Sequence, residues 1–234
     1  MLLSEIFDYL TYGELAELSL GGLREGGIDP MDYPRIIANI NLALIELYTE
    51  FPIRTAEINL QLYENIKLYT LHNNFAQSNT NSTEAIKYIN DSASSPFFND
   101  ILVVDSVLNS EGTEYPINLP KEELSVFTPT YNTIKVPFSV DNTTLDILYR
   151  ASPDLLVTKG VPPETVDVPI PYNLLSCLIA FTLHKIHSSI GSGEGNEAGM
   201  YFNKYRDAVA LAKHIGSATV ETSTNTKLDT RGWV

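Results

Sequence analysis

The apolar repeat of this chain changes period twice, and this limits the folds that it can adopt. Over residues 33–51 apolar side chains recur every three or four positions, as in an α-helix that buries one face. Over residues 57–69 they alternate instead, as in a strand with one buried face. The helical period returns over residues 172–215. The pattern predicts helices in both flanking regions and a β region between them.

The predicted fold class is therefore α+β. An α-helical bundle, made of the long helix and a C-terminal antiparallel helical hairpin, is expected to carry an inserted antiparallel β region and an extended C-terminal tail. The predicted parts are a helical bundle domain (1–54 and 170–215), a β-rich insertion (55–169) and the tail (216–234).

The insertion is expected to form one small antiparallel sheet of about four to six strands. Alternating residues on both sides of positions 64–65 predict a first strand pair joined by a tight turn there. A second hairpin is predicted around 109–112. Pro129, Pro137 and Pro153 should confine the later strands to edges or cut them short.

The chain is acidic, with 29 acidic and 15 basic side chains and a formal net charge of -14. This balance disfavours binding to free nucleic acid, because neutralising phosphates requires clustered Lys and Arg. An acidic surface suits a protein that lines a DNA conduit, since such a protein must not grip what passes through.

The sequence gives little sign of disulfide bonds, a signal peptide or a membrane span. Cys177 is the only cysteine, so an intrachain disulfide is impossible. The first ten residues carry acids where a signal peptide needs a basic lead, and polar residues interrupt the apolar stretch 174–190. We expect synthesis in the cytoplasm and no membrane span.

Two sets of side chains on the C-terminal helices are candidates for chemistry. His184 and His187 lie three residues apart, a spacing that two metal ligands on one helix face can have, but interfacial or surface imidazoles are the plainer interpretation. Cys177 would act as a nucleophile only beside a base such as His184, and its apolar surroundings favour a buried thiol.

A third set lies in the β region, where carboxylates could pair as the acid and base of a small hydrolase. A solvated acidic face is the plainer interpretation, since nothing in their spacing singles them out. We therefore expect no enzymatic activity, no catalytic residue, no cofactor and no metal. The carboxylates concerned are Glu122, Glu123, Asp141 and Asp146.

The C-terminal hairpin has more apolar surface than one partner helix can cover. Its second helix is expected to face the first with Ala198, Tyr201, Tyr205, Ala208, Ala212 and Ile215. We expect the surplus to be covered by neighbouring copies of the chain. The predicted subunit-interface residues are Leu175, Leu178, Phe181, Tyr201 and Tyr205.

Three stretches of the sequence resemble the head-to-tail adaptor, or connector, proteins of tailed bacteriophages. They are LTYGEL (10–15), IIANINLALIELY (36–48) followed by Phe51, and NEAGMYFNKY (196–205). The resemblance covers residues 1–70 and 170–215 best, and it is weakest in the β region and the tail.

The resemblance implies a structural virion protein that forms a ring, usually of twelve copies, in the neck between capsid and tail. The ring would sit beneath the portal protein and join it to a tail or nozzle protein, with the genomic DNA passing through its channel without specific binding. The tail of this chain would dock on the portal through Lys227, Leu228, Arg231 and Trp233. Alternatives are another tail-completion or neck component, a small hydrolase, or a β-rich recognition module.

Overall fold

The computed structural model describes residues 1–13, 28–138, 143–157, 160, 162–190 and 195–215. The predicted tail and the second half of the predicted N-terminal helical region lie outside these residues. The chain divides into two compact units. The helical unit contains Met1–Ala43 and Leu156–Val234, and the β unit contains Leu44–Leu155.

The described residues form four α-helices and seven strands in two antiparallel sheets. The α+β class agrees with the sequence, but the predicted architecture, a helical bundle with one inserted sheet, is wrong. Both sheets contribute to a hydrophobic core that lies within the β unit. The β region is therefore a folding unit with its own core, because its apolar side chains bury one another.

The predicted helices form where the apolar period is helical. They are α1 (Leu3–Tyr12), α2 (Tyr33–Glu50), α3 (Leu175–Ile190) and α4 (Gly195–Ile215). Pro34 occupies the first turn of α2, where a missing N–H costs little, and Pro52 lies two residues after its last residue. The helices predicted over 33–51 and over the C-terminal hairpin are confirmed, because each depends on a local pattern.

The larger sheet has four strands in the order β3-β1-β7-β4. These strands are β1 (Thr55–Gln61), β3 (Ile89–Asn90), β4 (Ile101–Asn109) and β7 (Thr144–Ala151). β7 pairs along the whole of β1 on one side and with β4 on the other. β7 ends at Ala151, two residues before Pro153, so this proline lies beyond a shortened strand, which is one of the two predicted outcomes, and β7 itself is not an edge strand.

The smaller sheet has three strands in the order β2-β6-β5. They are β2 (Leu68–Thr70), β5 (Phe127–Thr130) and β6 (Thr133–Lys135). Pro129 lies in the edge strand β5, as predicted, because an edge strand can leave one side unpaired.

Two predicted strand pairings differ from the structure. β1 and β2 do not form a hairpin around residues 64–65, because they belong to different sheets. The Tyr69 hydroxyl accepts a hydrogen bond from the Tyr63 amide at 2.8 Å and donates one to its carbonyl at 3.2 Å, and these bonds fix the connection. The turn predicted at 109–112 forms, with the Gly112 amide bonding the Asn109 carbonyl at 2.9 Å, but β4 pairs mainly with β7.

Tyr88 links the chain entering β3 to β2. Its hydroxyl accepts a hydrogen bond from the Thr70 amide at 3.0 Å and donates one to the Thr70 carbonyl at 2.9 Å. Its ring stacks on Phe75 with 4.7 Å between centroids. Tyr88→Phe should destabilise the β unit by roughly 1–3 kcal/mol, because the Thr70 amide loses its partner and the Thr70 carbonyl keeps only the His72 amide, at 3.0 Å. Urea unfolding measures this cost, and Tyr131→Phe, at a 67% exposed tyrosine, should leave stability unchanged.

Tyr88→Phe should also change how the free energy of unfolding depends on pH in the alkaline range. Burial raises the pKa of Tyr88 from 10.0 to about 12, so the unfolded chain ionises this hydroxyl at lower pH than the folded chain does. The wild type therefore loses stability as pH rises between these two values, and Tyr88→Phe lacks that loss. The stability gap between the two proteins should narrow over this pH range. If the difference in free energy of unfolding between the two proteins stays constant or widens over this pH range, the pKa of Tyr88 is not raised by folding.

Candidate interaction surfaces

The structure places most of the predicted subunit-interface residues inside a single chain. α3 and α4 pack together as a hairpin, with the rings of Phe181 and Tyr205 4.9 Å apart. Leu178, Phe181, Tyr201 and Tyr205 are buried, and Leu175 is half-buried. Four of the five residues therefore hold the hairpin together and offer no free surface to a neighbouring copy.

The surplus apolar surface predicted for α3 is covered by several elements of the same unit. α3 packs against α1 in addition to α4, and Leu178, Leu183 and Ile186 are buried. Sequence periodicity shows how wide an apolar face is, but it does not show how many elements of the same chain cover it.

The two histidines of α3 both contact α4. The ring nitrogen Nδ1 of His184 lies 2.9 Å from the Ala198 carbonyl oxygen. His187 is buried, its Nδ1 lies 3.0 Å from a carboxylate oxygen of Glu197, and its ring stacks on Tyr201 at 4.8 Å. Among the described residues, no group of three or more His, Cys, Asp or Glu is placed to hold a metal ion.

Cys177 is fully buried, as the sequence predicts. Burial raises the pKa of its thiol, although a hydrogen bond with Ser176 opposes this effect. A raised pKa keeps the sulfur protonated at neutral pH, whereas a nucleophile must be a thiolate. The position is therefore that of a structural thiol.

The candidate carboxylates lie in separate parts of the β unit. Asp146 is in β7, where its oxygen accepts a hydrogen bond from the Asn59 side chain at 2.5 Å. Glu122 and Glu123 are exposed in the loop before β5, in the region of the smaller sheet. Asp141 lies outside the described residues.

One exposed side of α4 carries three large apolar residues that we name the α4 stripe. Met200, Leu211 and Ile215 are 44%, 59% and 64% exposed. At 3.6 residues per turn they lie within about 60° of one another around the helix. Ile215 was expected to face α3, but its side chain is exposed. The sequence did not distinguish this stripe from the buried one, because the two apolar faces of α4 adjoin.

A second surface lies beside β1 in the β unit. It is a cavity of about 680 Å³, which is within the roughly 300–1,000 Å³ typical of ligand sites. We name it the edge groove, because it follows the part of β1 that β3 does not cover. Its lining includes Arg54, Ala56, Ile58, Phe97, Phe98 and Tyr149.

A polar network lies along the edge groove. The Tyr149 hydroxyl donates a hydrogen bond to Asp100 at 2.9 Å, and burial together with the Asp100 charge raises the pKa of that hydroxyl. Arg54 lies 4.0 Å from Asp100 and 3.2 Å from Asp154. The one cation of the lining therefore already has acidic partners.

Asp91 anchors the loop on the other side of the groove. It accepts hydrogen bonds from the Ser78 amide at 2.7 Å and the Phe97 amide at 3.0 Å, and from the Ser78 hydroxyl. Burial alone would raise the pKa of Asp91, but these hydrogen bonds outweigh it and lower the pKa. Phe98 lines the groove and is 72% exposed, and the next residue, Asn99, has a φ of 60°.

The predicted tail residues Lys227, Leu228, Arg231 and Trp233 lie outside the described residues. Neither a protein-family model nor a curated protein sequence matches the chain. In the part that the structure describes, no helix has the length and apolar content to span a membrane.

Proposed function

We propose that the chain is a structural virion protein, a ring-forming head-to-tail adaptor that docks under the portal. The ring would join the portal to a tail or nozzle protein around the DNA channel, in the neck between capsid and tail. The stretches 10–15, 36–48 and 196–205, which resemble adaptor proteins, support this function. The observation that carries the proposal is the α4 stripe.

The α4 stripe has the properties of a surface that another chain covers. Leu211 and Ile215 lie one turn apart near the end of α4, and Met200 lies on the same side three turns earlier, with the exposed Lys204 and Asp207 between. Water is a poor environment for exposed apolar side chains of this size. A neighbouring copy in a closed ring would cover the stripe at every subunit, since each interface repeats the same pair of surfaces. The stripe replaces the buried residues Leu178, Phe181, Tyr201 and Tyr205 as the proposed contact.

The charge of the chain supports a passive role around DNA. A net charge of -14, repeated in each subunit of a ring, repels phosphates and allows a duplex to pass without being held. A channel protein with the opposite charge would slow the DNA that it conducts.

Mass photometry of the purified full chain, alone and with the portal protein encoded in the same genome, tests the proposal. We expect a ring-sized species in one or both samples, because some adaptors assemble only on the portal. A chain that remains a monomer in both samples would contradict the proposal.

The docking role of the tail makes a separate prediction. Deleting residues 217–234 should leave the melting transition nearly unchanged and abolish portal binding, because the segment has too little apolar content to form a core of its own. Calorimetry and a portal pull-down measure the two effects. Portal binding by the shortened chain at the wild-type level would refute this role.

A further inference from the structure

We propose that the edge groove binds an extended basic segment of a partner protein, which adds to the larger sheet as a strand beside β1. Glu57 is the side chain that would select such a segment. Every residue that lines the groove belongs to the β unit. The inference is independent of the adaptor function, because the α4 stripe belongs to the helical unit.

Part of β1 turns its peptide groups into the groove. Gln61 faces β3, since its amide bonds the Tyr88 carbonyl at 2.7 Å. In an antiparallel strand, residues two positions apart direct their amides and carbonyls to the same side. Thr55 and Glu57 therefore also direct theirs to the β3 side of β1.

β3 is too short to pair with this part of β1. It pairs only with Asn59 and Leu60. Among the residues that the structure describes, no strand pairs with Thr55 and Glu57 on this side. A row of unpaired amides and carbonyls at a sheet edge is a template for another extended chain.

The loop that follows β3 forms the opposite wall of the groove and bonds to itself. The Ser95 amide bonds the Ser92 carbonyl at 3.0 Å, and the Phe97 amide bonds the Asp91 carboxylate at 3.0 Å. The cavity of about 680 Å³ has residues of β1 and of this loop in its lining. The groove therefore has room beside an open backbone edge.

The charge of the groove favours a cationic occupant. Its lining contains the acids Glu57, Asp91 and Asp100 against the single base Arg54, and Arg54 already lies 3.2 Å from Asp154. Glu57 is exposed and has no ion-pair partner in the described part of the chain. Residues 44–155 carry 15 acidic and 6 basic side chains, so the field of the β unit also attracts cations.

The two faces of β1 define the order of side chains in the occupant. Thr55 and Glu57 are exposed on one face, whereas Ala56 and Ile58 are half-buried and buried on the other. A residue of the added strand opposite Glu57 would share its exposed face, and the next residues along would lie against the apolar face. The groove therefore fits a strand in which lysine or arginine alternates with apolar residues.

Titration of the full chain with labelled synthetic peptides tests the charge preference by fluorescence anisotropy. We expect the peptide TVKVKVT to bind roughly tenfold or more tightly than TVEVEVT, because the acidic peptide places like charges opposite Glu57. Methylation of a lysine amide, which faces β1 in the proposed pairing, should weaken binding more than methylation of the central valine amide. Equal affinities for the basic and acidic peptides, or no binding of either, would overturn the proposal.

A charge exchange at Glu57 tests whether this side chain makes the selection. Glu57→Lys should reverse the preference, so that TVEVEVT binds more tightly than TVKVKVT. Glu64→Lys, at an exposed position outside the groove, should keep the wild-type preference, and circular dichroism checks that both variants are folded. An unreversed preference in Glu57→Lys would rule out Glu57 as the selecting residue and overturn the proposed pairing.

Hydrogen exchange distinguishes strand addition from a contact made by side chains alone. Saturating TVKVKVT should slow the exchange of the Thr55 and Glu57 amides by roughly tenfold or more, because each gains a backbone partner. Unchanged exchange at both amides in the peptide complex would overturn the strand pairing. Neither the portal nor a ring is needed in these assays, so failure of the adaptor function would not change their results.

Discussion

Lysine at both Leu211 and Ile215 is expected to abolish ring assembly while the subunit stays folded. Both side chains are more than half exposed in the single chain, so their replacement removes little packing within the subunit. Lysine is a good helix former and is favourable in the last turn of a helix. In an assembled ring, however, each interface would have to bury two unpaired charges, at several kcal/mol per charge.

The expected effect is a loss of assembly by about 100-fold or more in concentration, since each 1.4 kcal/mol of interface free energy is a factor of ten. Mass photometry over a dilution series measures it, and circular dichroism checks the helix content. The matched control is Asn203→Lys with Ala210→Lys, which adds the same charge at two exposed positions of α4 outside the stripe. Assembly of the stripe variant at the level of this control would exclude the α4 stripe as the contact.

The helices could be predicted from the sequence because their signals are local. The repeat around Ile36 and Ile40 and the flanking prolines locate α2 to within one residue of its observed end. The burial of Cys177 also follows from its apolar neighbours along one helix. In each case the residues that produce the pattern are the residues that pack or end the helix.

The sheets could not be predicted to the same extent, because pairing joins residues that are distant in sequence. Alternation locates β1 and β7, but it does not show that Ile58 lies opposite Ile147. A chain of short strands is compatible with many pairings, and side chains such as Tyr69 and Tyr88 decide between them through hydrogen bonds to distant backbone.

Neither candidate surface could be predicted from apolar content alone. The α4 stripe adjoins the buried face of the same helix, so Ile215 and Ala212 look alike in the sequence although only Ala212 is buried. The edge groove follows the part of β1 that the two-residue strand β3 does not cover. Such features depend on where a strand ends, and the alternation of apolar residues in the sequence does not show this.

Leu60→Ala is expected to cause the largest loss of stability among single substitutions proposed for this chain. Leu60 is fully buried in β1, where it lies opposite Leu145 of β7 and Ile89 of β3. Neighbours in two paired strands cannot easily collapse into the space that it leaves. Truncation should therefore cost about 2–5 kcal/mol, from the lost transfer free energy and the remaining cavity.

Urea unfolding followed by circular dichroism measures the cost, with Leu68→Ala as the matched control. Leu68 begins β2 and is 55% exposed, so its truncation should change stability by less than about 1 kcal/mol. The contrast tests whether the β unit is held by its own core, since an element stabilised mainly from outside would tolerate a cavity at Leu60. Equal costs for the two substitutions would mean that the buried row through Leu60, Ile89 and Leu145 does not stabilise the β unit.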